Sequence, residues 1–238
     1  MQERYLGDIH DFFKFLFIKN LSKACGYKIG LNWYLVNPIE LGRNEVKKND
    51  GEKRYYLDNK TFYLYDKKIS AELSVYKNLK KRNIKKFSTT THLNDFIKFY
   101  DVYIKQSERQ TWLTNSLKYF EHEKIIFLDP DNGFSSSIKG KKSVKYVTPA
   151  DIQLITEKNK VIIFTQFQSF TKNTSIHIKS ILDELRKFEF NFLPPVVRNR
   201  TAPNTFFITI ANKKLSNQIS NIYKNYQKKF QEVELISL

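Results

Sequence analysis

The chain has 238 residues, with 41 Lys and Arg against 24 Asp and Glu, a formal charge of +17. That balance suits a polyanionic partner, nucleic acid before an anionic membrane surface, although a solvated lysine-rich face would give the same count. The single cysteine, Cys25, excludes an intrachain disulfide framework and a cysteine zinc site and points to a cytoplasmic protein. No stretch approaches the roughly 20 apolar residues of a membrane span. The opening MQERYLGDIH has acids and no apolar run behind a basic start, so no secretory leader is expected.

In chain order, residues 8 to 24, DIHDFFKFLFIKNLSKA, predict a helix with Asp8 as N-cap, Phe12, Leu16 and Ile18 at roughly helical spacing, and Cys25-Gly26 as its end. YKIGLNWYLV reads as a strand stopped by Asn37-Pro38. Residues 39 to 55 read as a long polar loop, and the region around 39 to 60 as a polar, mobile insertion. DKKISAELSVYKNLKKR, residues 66 to 82, is helical in pattern, with Ile69, Leu73, Tyr76 and Leu79 in register. IKKFSTTT suggests a short strand, and residues 92 to 121 one or two helices. KIIFLD is a strand that empties into Pro130-Asp131-Asn132-Gly133. TPADIQLITEK predicts a helix with Thr148 as N-cap and Pro149 at its first position. KVIIFTQF is a second apolar strand and NTSIHIKSILDELRKF a helix. EFNFLPPVV and TFFITIA suggest a strand pair, and KKLSNQISNIYKNYQKKF a closing helix before the apolar tail VELISL.

Strands thus alternate with helices, and at least three strands are apolar without alternation, as in central strands covered on both faces. The expected fold is a single α/β domain over 1–238. It is three-layered and Rossmann-like, with a largely parallel sheet and an antiparallel C-terminal strand pair. Sites in such sheets lie at the carboxyl ends of strands, near the switch point.

Several constellations could carry chemistry. Asp129 ends an apolar strand, Asp131 and Asn132 are placed to point into a crevice, and Gly133 permits a positive φ. The same residue types also make a plain turn. Asp11 and Lys14 share a helix face beside His10, where a lysine can hold a carboxylate or phosphate or form an exposed ion pair. The exit of the first strand has no glycine-rich turn, which argues against an ordinary dinucleotide or P-loop site. Lys53 and Arg54 beside Tyr55 and Tyr56 suit a nucleic-acid strand, or a core. Lys142 and Lys145 lie in the basic stretch KGKKSVKYVTP, which suits phosphates or solvent. His10, His92, His122 and His177 show no metal-ligand spacing, and no serine elbow or Cys–His pairing supports a nucleophilic triad.

Two of these stretches together resemble class I methyltransferases that act on adenine in nucleic acid, of the ribosomal RNA adenine-N6 type. That family opens with Gly-Asn, an Asp and Lys-His before its first long helix, and GDIHDFFKF offers Gly7, Asp11 and Lys14. Its catalytic motif is an apolar strand followed by Asp-Pro-Pro-Tyr, and IIFLDPDNGF matches it at Asp129 and Pro130. The chain is similar, within that type, to a divergent bacterial group carrying DPDNG. The resemblance implies S-adenosylmethionine as cofactor and nucleic acid as partner. Asp129 would hold an exocyclic amine, with Asp131 and Asn132 beside it in the catalytic loop. Asp11, Lys14 and Asn37 would line the cofactor pocket. Phe134 would stack on a flipped base, with Lys142, Lys145 and Arg54 on the substrate. Asp131 and Asn132 stand where the family has Pro and an aromatic residue, which leaves two alternatives. One is a Mg²⁺-dependent nuclease or phosphohydrolase using Asp129 and Asp131. The other is a non-catalytic nucleic-acid-binding module on a degenerate methyltransferase fold.

Overall fold

The computed structural model describes residues 1–48, 53–190 and 193–237. One seven-stranded sheet runs in the order β2-β1-β3-β4-β6-β5-β7. Strands β1 (Ile29–Asn32), β2 (Ile97–Tyr100), β3 (Ile125–Leu128) and β4 (Val161–Phe167) are parallel. Strand β6 (Thr205–Ile210) is antiparallel to β4, and β5 (Val196–Asn199) and β7 (Val233–Ile236) continue the antiparallel half. The result is a Rossmann-like α/β fold. From β1 the chain moves out to β2 and returns to β3 on the opposite side of β1, so the switch point lies between β1 and β3.

The helices are α1 (Ile9–Cys25), α2 (Pro38–Leu41), α3 (Arg43–Val46), α4 (Lys60–Tyr65), α5 (Lys67–Ser74), α6 (Ile84–Thr90), α7 (Arg109–Tyr119), α8 (Pro149–Thr156), α9 (Thr174–Lys187) and α10 (Lys213–Gln227). The central strands feed two cores. Ile125 and Phe127 pack with α1, α4, α5, α6 and α10, while Ile126 and Leu128 pack with α7, α8 and α9. That two-sided burial is why the strands read as unbroken apolar runs. No described helix is long and apolar enough to cross a membrane.

Helix α1 starts because the Asp8 side chain accepts from the N–H groups of His10 and Asp11, and it ends at Gly26 in the left-handed conformation. It is apolar on nearly every side and accordingly buried on nearly every side. Phe17 meets Phe207 at 4.8 Å, Phe15 stacks on Phe87 at 5.2 Å, and Phe13 meets Phe62 edge-on at 5.6 Å. The segment carrying α4 to α6 therefore forms an outer cover over α1. At α8, Thr148 and Asp151 form a reciprocal capping box, with Pro149 in the first turn.

Several elements differ from the sequence expectation. IKKFSTTT is helix α6, capped by Asn83 through the Lys86 N–H, with Ile84 and Phe87 spaced to bury one face. Strand β2 lies inside the stretch expected to be helical. It is a four-residue sheet edge that alternates Ile97 and Phe99 with Lys98. The tail VELISL supplies β7 on the other edge. The first strand stops at Asn32, whose side chain accepts the Tyr34 N–H while Tyr34 turns at φ 46°. The helix expected over 66–82 ends at Ser74 and gives way to 3-10 turns. The expected polar loop holds α2 and α3, and its residues 49–52 lie outside the described residues, as do 191 and 192 of the expected strand EFNFLPPVV.

Gly30 in β1 tests this packing. A Cβ there would stand 2.8 Å from Phe120 Cδ1. Gly30→Ala should cost about 1–3 kcal/mol in urea unfolding through overpacking. Adding Phe120→Leu should cost less than the two separate losses combined, because the second change makes room for the first.

Candidate active site

Strand β3 delivers Asp129 at the switch point, with its N–H donated to the Asn32 carbonyl at 3.0 Å. Asp129 Oδ2 lies 2.5 Å from Lys14 Nζ, and Oδ1 accepts from the Thr165 hydroxyl at 3.0 Å. Lys14 Nζ is also 2.5 Å from Asp11 Oδ1, while Asp11 Oδ2 accepts the Gly7 N–H at 2.7 Å. The Trp33 ring lies 4.5 Å from the same ammonium. One cation is thus shared by two carboxylates, all three groups being buried.

Burial alone would lower the Lys14 pKa, but Asp11 and Asp129 outweigh it and hold it above the ordinary lysine value. Burial, reinforced by Asp129, raises Asp11 against the opposing pull of Lys14. Asp8 is raised well above the carboxylate range, first by burial and then by Asp11.

The rest of the loop has other partners. Asp131 Oδ1 lies 3.0 Å from the Met1 α-ammonium, and its Oδ2 accepts from Gln2 Nε2 at 2.7 Å. Against burial, the Met1 ammonium and Lys145 hold Asp131 below its ordinary value. Lys145 Nζ also lies 2.7 Å from Glu45 Oε1. Burial opposes the Glu45 charge, yet hydrogen bonds from Lys145, Gln2 and Lys48 hold its pKa down at about 2. The Asn132 N–H donates to the Lys145 carbonyl at 2.9 Å. Gly133 takes φ +89°, and a Cβ there would meet Gln166 Oε1 at 2.1 Å, so the glycine is obligatory. That same Gln166 oxygen accepts the Phe134 N–H at 2.9 Å.

These residues open into a cleft of about 830 Å³. Asp8, Asp11, Lys14, Asp129 and Thr165 reach it from the floor. Lys53 and Arg200 bring positive charge to its walls, beside Lys48 and Arg198, which are paired with Glu45 at 3.1 Å and Glu234 at 2.9 Å, and Phe170, 85% exposed, stands at its mouth. The floor therefore offers hydrogen-bond acceptors around a fixed ammonium, within walls that attract anions.

Of the residues singled out in the sequence, Asp11, Lys14, Asp129, Asp131, Asn132 and Lys145 come together along this cleft. The Asp11–Lys14 pair is buried rather than exposed, because the outer cover closes over α1. Four residues lie elsewhere. Asn37 caps α2 through the Ile39 N–H. Phe134 is 6% exposed and packs against Phe164, because the Gly133 turn directs it into the core, so it offers no face for stacking. Lys142 is exposed on a 3-10 turn away from the cleft. Arg54 donates to the Leu6 carbonyl at 3.0 Å, behind Gly7.

Thr165, Arg198, Arg200 and Phe170 belong to no motif in the sequence, where Asp8 reads only as a cap. One signal was available: Thr165 and Gln166 are polar residues inside the apolar run KVIIFTQF, and both are buried.

The Mg²⁺ reading asks Asp129 and Asp131 to share an ion. Here each carboxylate is neutralised by a different ammonium group. Among the described residues, no group of three His, Cys, Asp or Glu is placed to hold a metal ion.

Lys14→Met should lose about 3–5 kcal/mol, the usual result of leaving buried carboxylates without their cation. Combining it with Asp129→Asn should recover part of that loss in urea unfolding. Asp8→Asn has a pH signature. A raised folded-state pKa contributes stability below the free value of 3.8, and that stability is lost as pH rises through the folded value. Asn caps a helix as well as Asp. The variant should therefore match the wild type near pH 3.5 and exceed it in urea unfolding at pH 7.

In comparisons with known proteins, the chain matches no family model, no curated protein and no solved structure.

Proposed function

We propose that the cleft is the active site of a methyltransferase acting on an amino group in nucleic acid, with S-adenosylmethionine as the donor. One observation carries this reading. The two short segments that resemble the adenine-N6 family, far apart in sequence, meet in one cleft, where Lys14 joins Asp11 to Asp129 at 2.5 Å on each side.

The donor set fits a cationic cofactor. Asp8, Asp11 and Asp129 surround one ammonium with carboxyl oxygens, and a sulfonium beside Asp8 and Asp11 would favour the charged form that burial opposes there, while the volume suits a small molecule. The exit of β1 is closed by the fully buried Trp33 and Tyr34. Asp8 and Asp11 of α1 are therefore the residues that would hold the cofactor, which supplies an electrophilic methyl group when bound. Asp129 keeps acceptor capacity beyond its bonds to Lys14 and Thr165, and with the Pro130 carbonyl it would orient an amine. Arg198, Arg200, Lys48 and Lys53 would take backbone phosphates. Phe170 would supply the stacking face first expected of Phe134.

Calorimetric titration with S-adenosylmethionine tests the reading most directly. Saturable binding below millimolar concentration is expected, with methyl transfer to RNA or DNA falling roughly 100-fold in Asp129→Asn as the amine loses its orientation. No binding at millimolar cofactor would refute it.

A further inference from the structure

His10 precedes Asp11 on α1 and lines the same cleft. It lies four residues, about 6 Å of helix rise, from Lys14, which binds Asp129. Its Nδ1 is 2.5 Å from Thr205 Oγ1, and its ring meets Phe167 edge-on at 5.3 Å. Thr205 Oγ1 is in turn 3.3 Å from Thr201 Oγ1, and the Thr201 hydroxyl donates to the Pro203 carbonyl at 2.7 Å.

The direction of this chain that makes the most hydrogen bonds sets the tautomer. A carbonyl only accepts, so the Thr201 proton is committed to Pro203 and Thr201 Oγ1 can serve only as an acceptor towards its other neighbours. When Thr205 donates to it, Thr205 accepts from His10, and Nδ1 carries the imidazole proton. The reverse polarity, with Thr205 donating to Nδ1, leaves Thr201 Oγ1 only its bond to Pro203 and no proton to accept, so the first polarity makes one hydrogen bond more. A neutral imidazole has one N–H, so Nε2 is a bare lone pair. Nε2 has no hydrogen-bond partner among the described residues and is not enclosed. Burial, followed by Lys14 and Lys53, lowers the His10 pKa to about 4, which agrees with a neutral ring.

We propose that His10 Nε2 accepts the proton released when the substrate amine is methylated, with Thr205 and Thr201 as positioning residues. The role rests on the reaction proposed above. In that step the amine lone pair forms the new N–C bond and the sulfonium S–C bond breaks, its electron pair staying on sulfur. The alkylated amine then carries one proton too many and passes it to Nε2, and the imidazolium returns it to water. A weak base suffices, because the lone pair of a nucleobase exocyclic amine is delocalised into the ring, so the amine carrying an extra proton is a far stronger acid than even this imidazolium. Asp129 is less suited to take the proton, because protonation would cancel the charge that pairs with the buried Lys14 ammonium.

Long-range ¹H–¹⁵N NMR of the full chain, without cofactor, should show His10 as the Nδ1–H tautomer from pH 8 to pH 5. Thr205→Val should abolish that preference. An Nε2–H tautomer, or ordinary titration near 6.5, overturns the proposal. In methyl transfer, His10→Gln keeps an acceptor but cannot take a proton. It should lower kcat roughly 100-fold with little change in KM, while its NMR dispersion stays that of a folded protein. A kcat within about threefold of the wild type, or a change in KM alone, also overturns the proposal. A wild type with bare Nε2 but no methyl transfer refutes the proposed reaction, and this role with it. A wrong tautomer in an active enzyme refutes this role alone.

Discussion

The Lys14 ammonium, shared between Asp11 and Asp129, is the interaction on which the rest of the site depends. Three charges removed from water are costly, and they persist only where each finds partners. Gly7 and Thr165 provide the remaining hydrogen bonds. The arrangement ties the first turn of α1 to the carboxyl end of β3, so the helix cannot shift along the sheet without stranding a charge. Because α1 is gripped by rings on both sides, the cluster inherits its rigidity.

The two carboxylates of the loop have separate roles because different cations reach them. Asp129 faces the cleft from a strand end. Asp131 is drawn towards Met1, Gln2 and Lys145, and so fastens the loop to the N-terminal segment. The doubly acidic turn is thus a division of labour. One acid is presented, and the other holds the backbone that presents it.

Much of the fold was readable from local chemistry. IIFL and VIIFTQF are unbroken apolar runs because two cores claim their alternate residues, and Thr148-Pro149 marks a helix start by capping alone. Strands β2 and β7 escaped notice because they are short edges, where solvent on one side allows Lys98 and Glu234 into the pattern. In the site, Asp11, Lys14 and Asp129 were visible as motif residues. Arg198 and Phe170 were not, because the antiparallel pairing of β4 with β6 and of β6 with β5 carries their neighbouring loops to the cleft, and no spacing in the sequence encodes that pairing. Phe134 misled because its ring is visible in the sequence, whereas the direction imposed by Gly133 is not.

The burial of α1 also has a consequence for biosynthesis. The ring of Phe17 is covered by Phe207, Tyr223 and Tyr226. The helix leaves the ribosome about 190 residues ahead of these partners. Its aromatic side must wait, unburied, while the intervening segment is made. Contacts so distant in sequence close slowly, and a nascent chain with such a face exposed is a substrate for chaperones and prone to aggregate. The helix that organises the site therefore depends, for its own burial, on strand β6 and helix α10 being made far downstream of it.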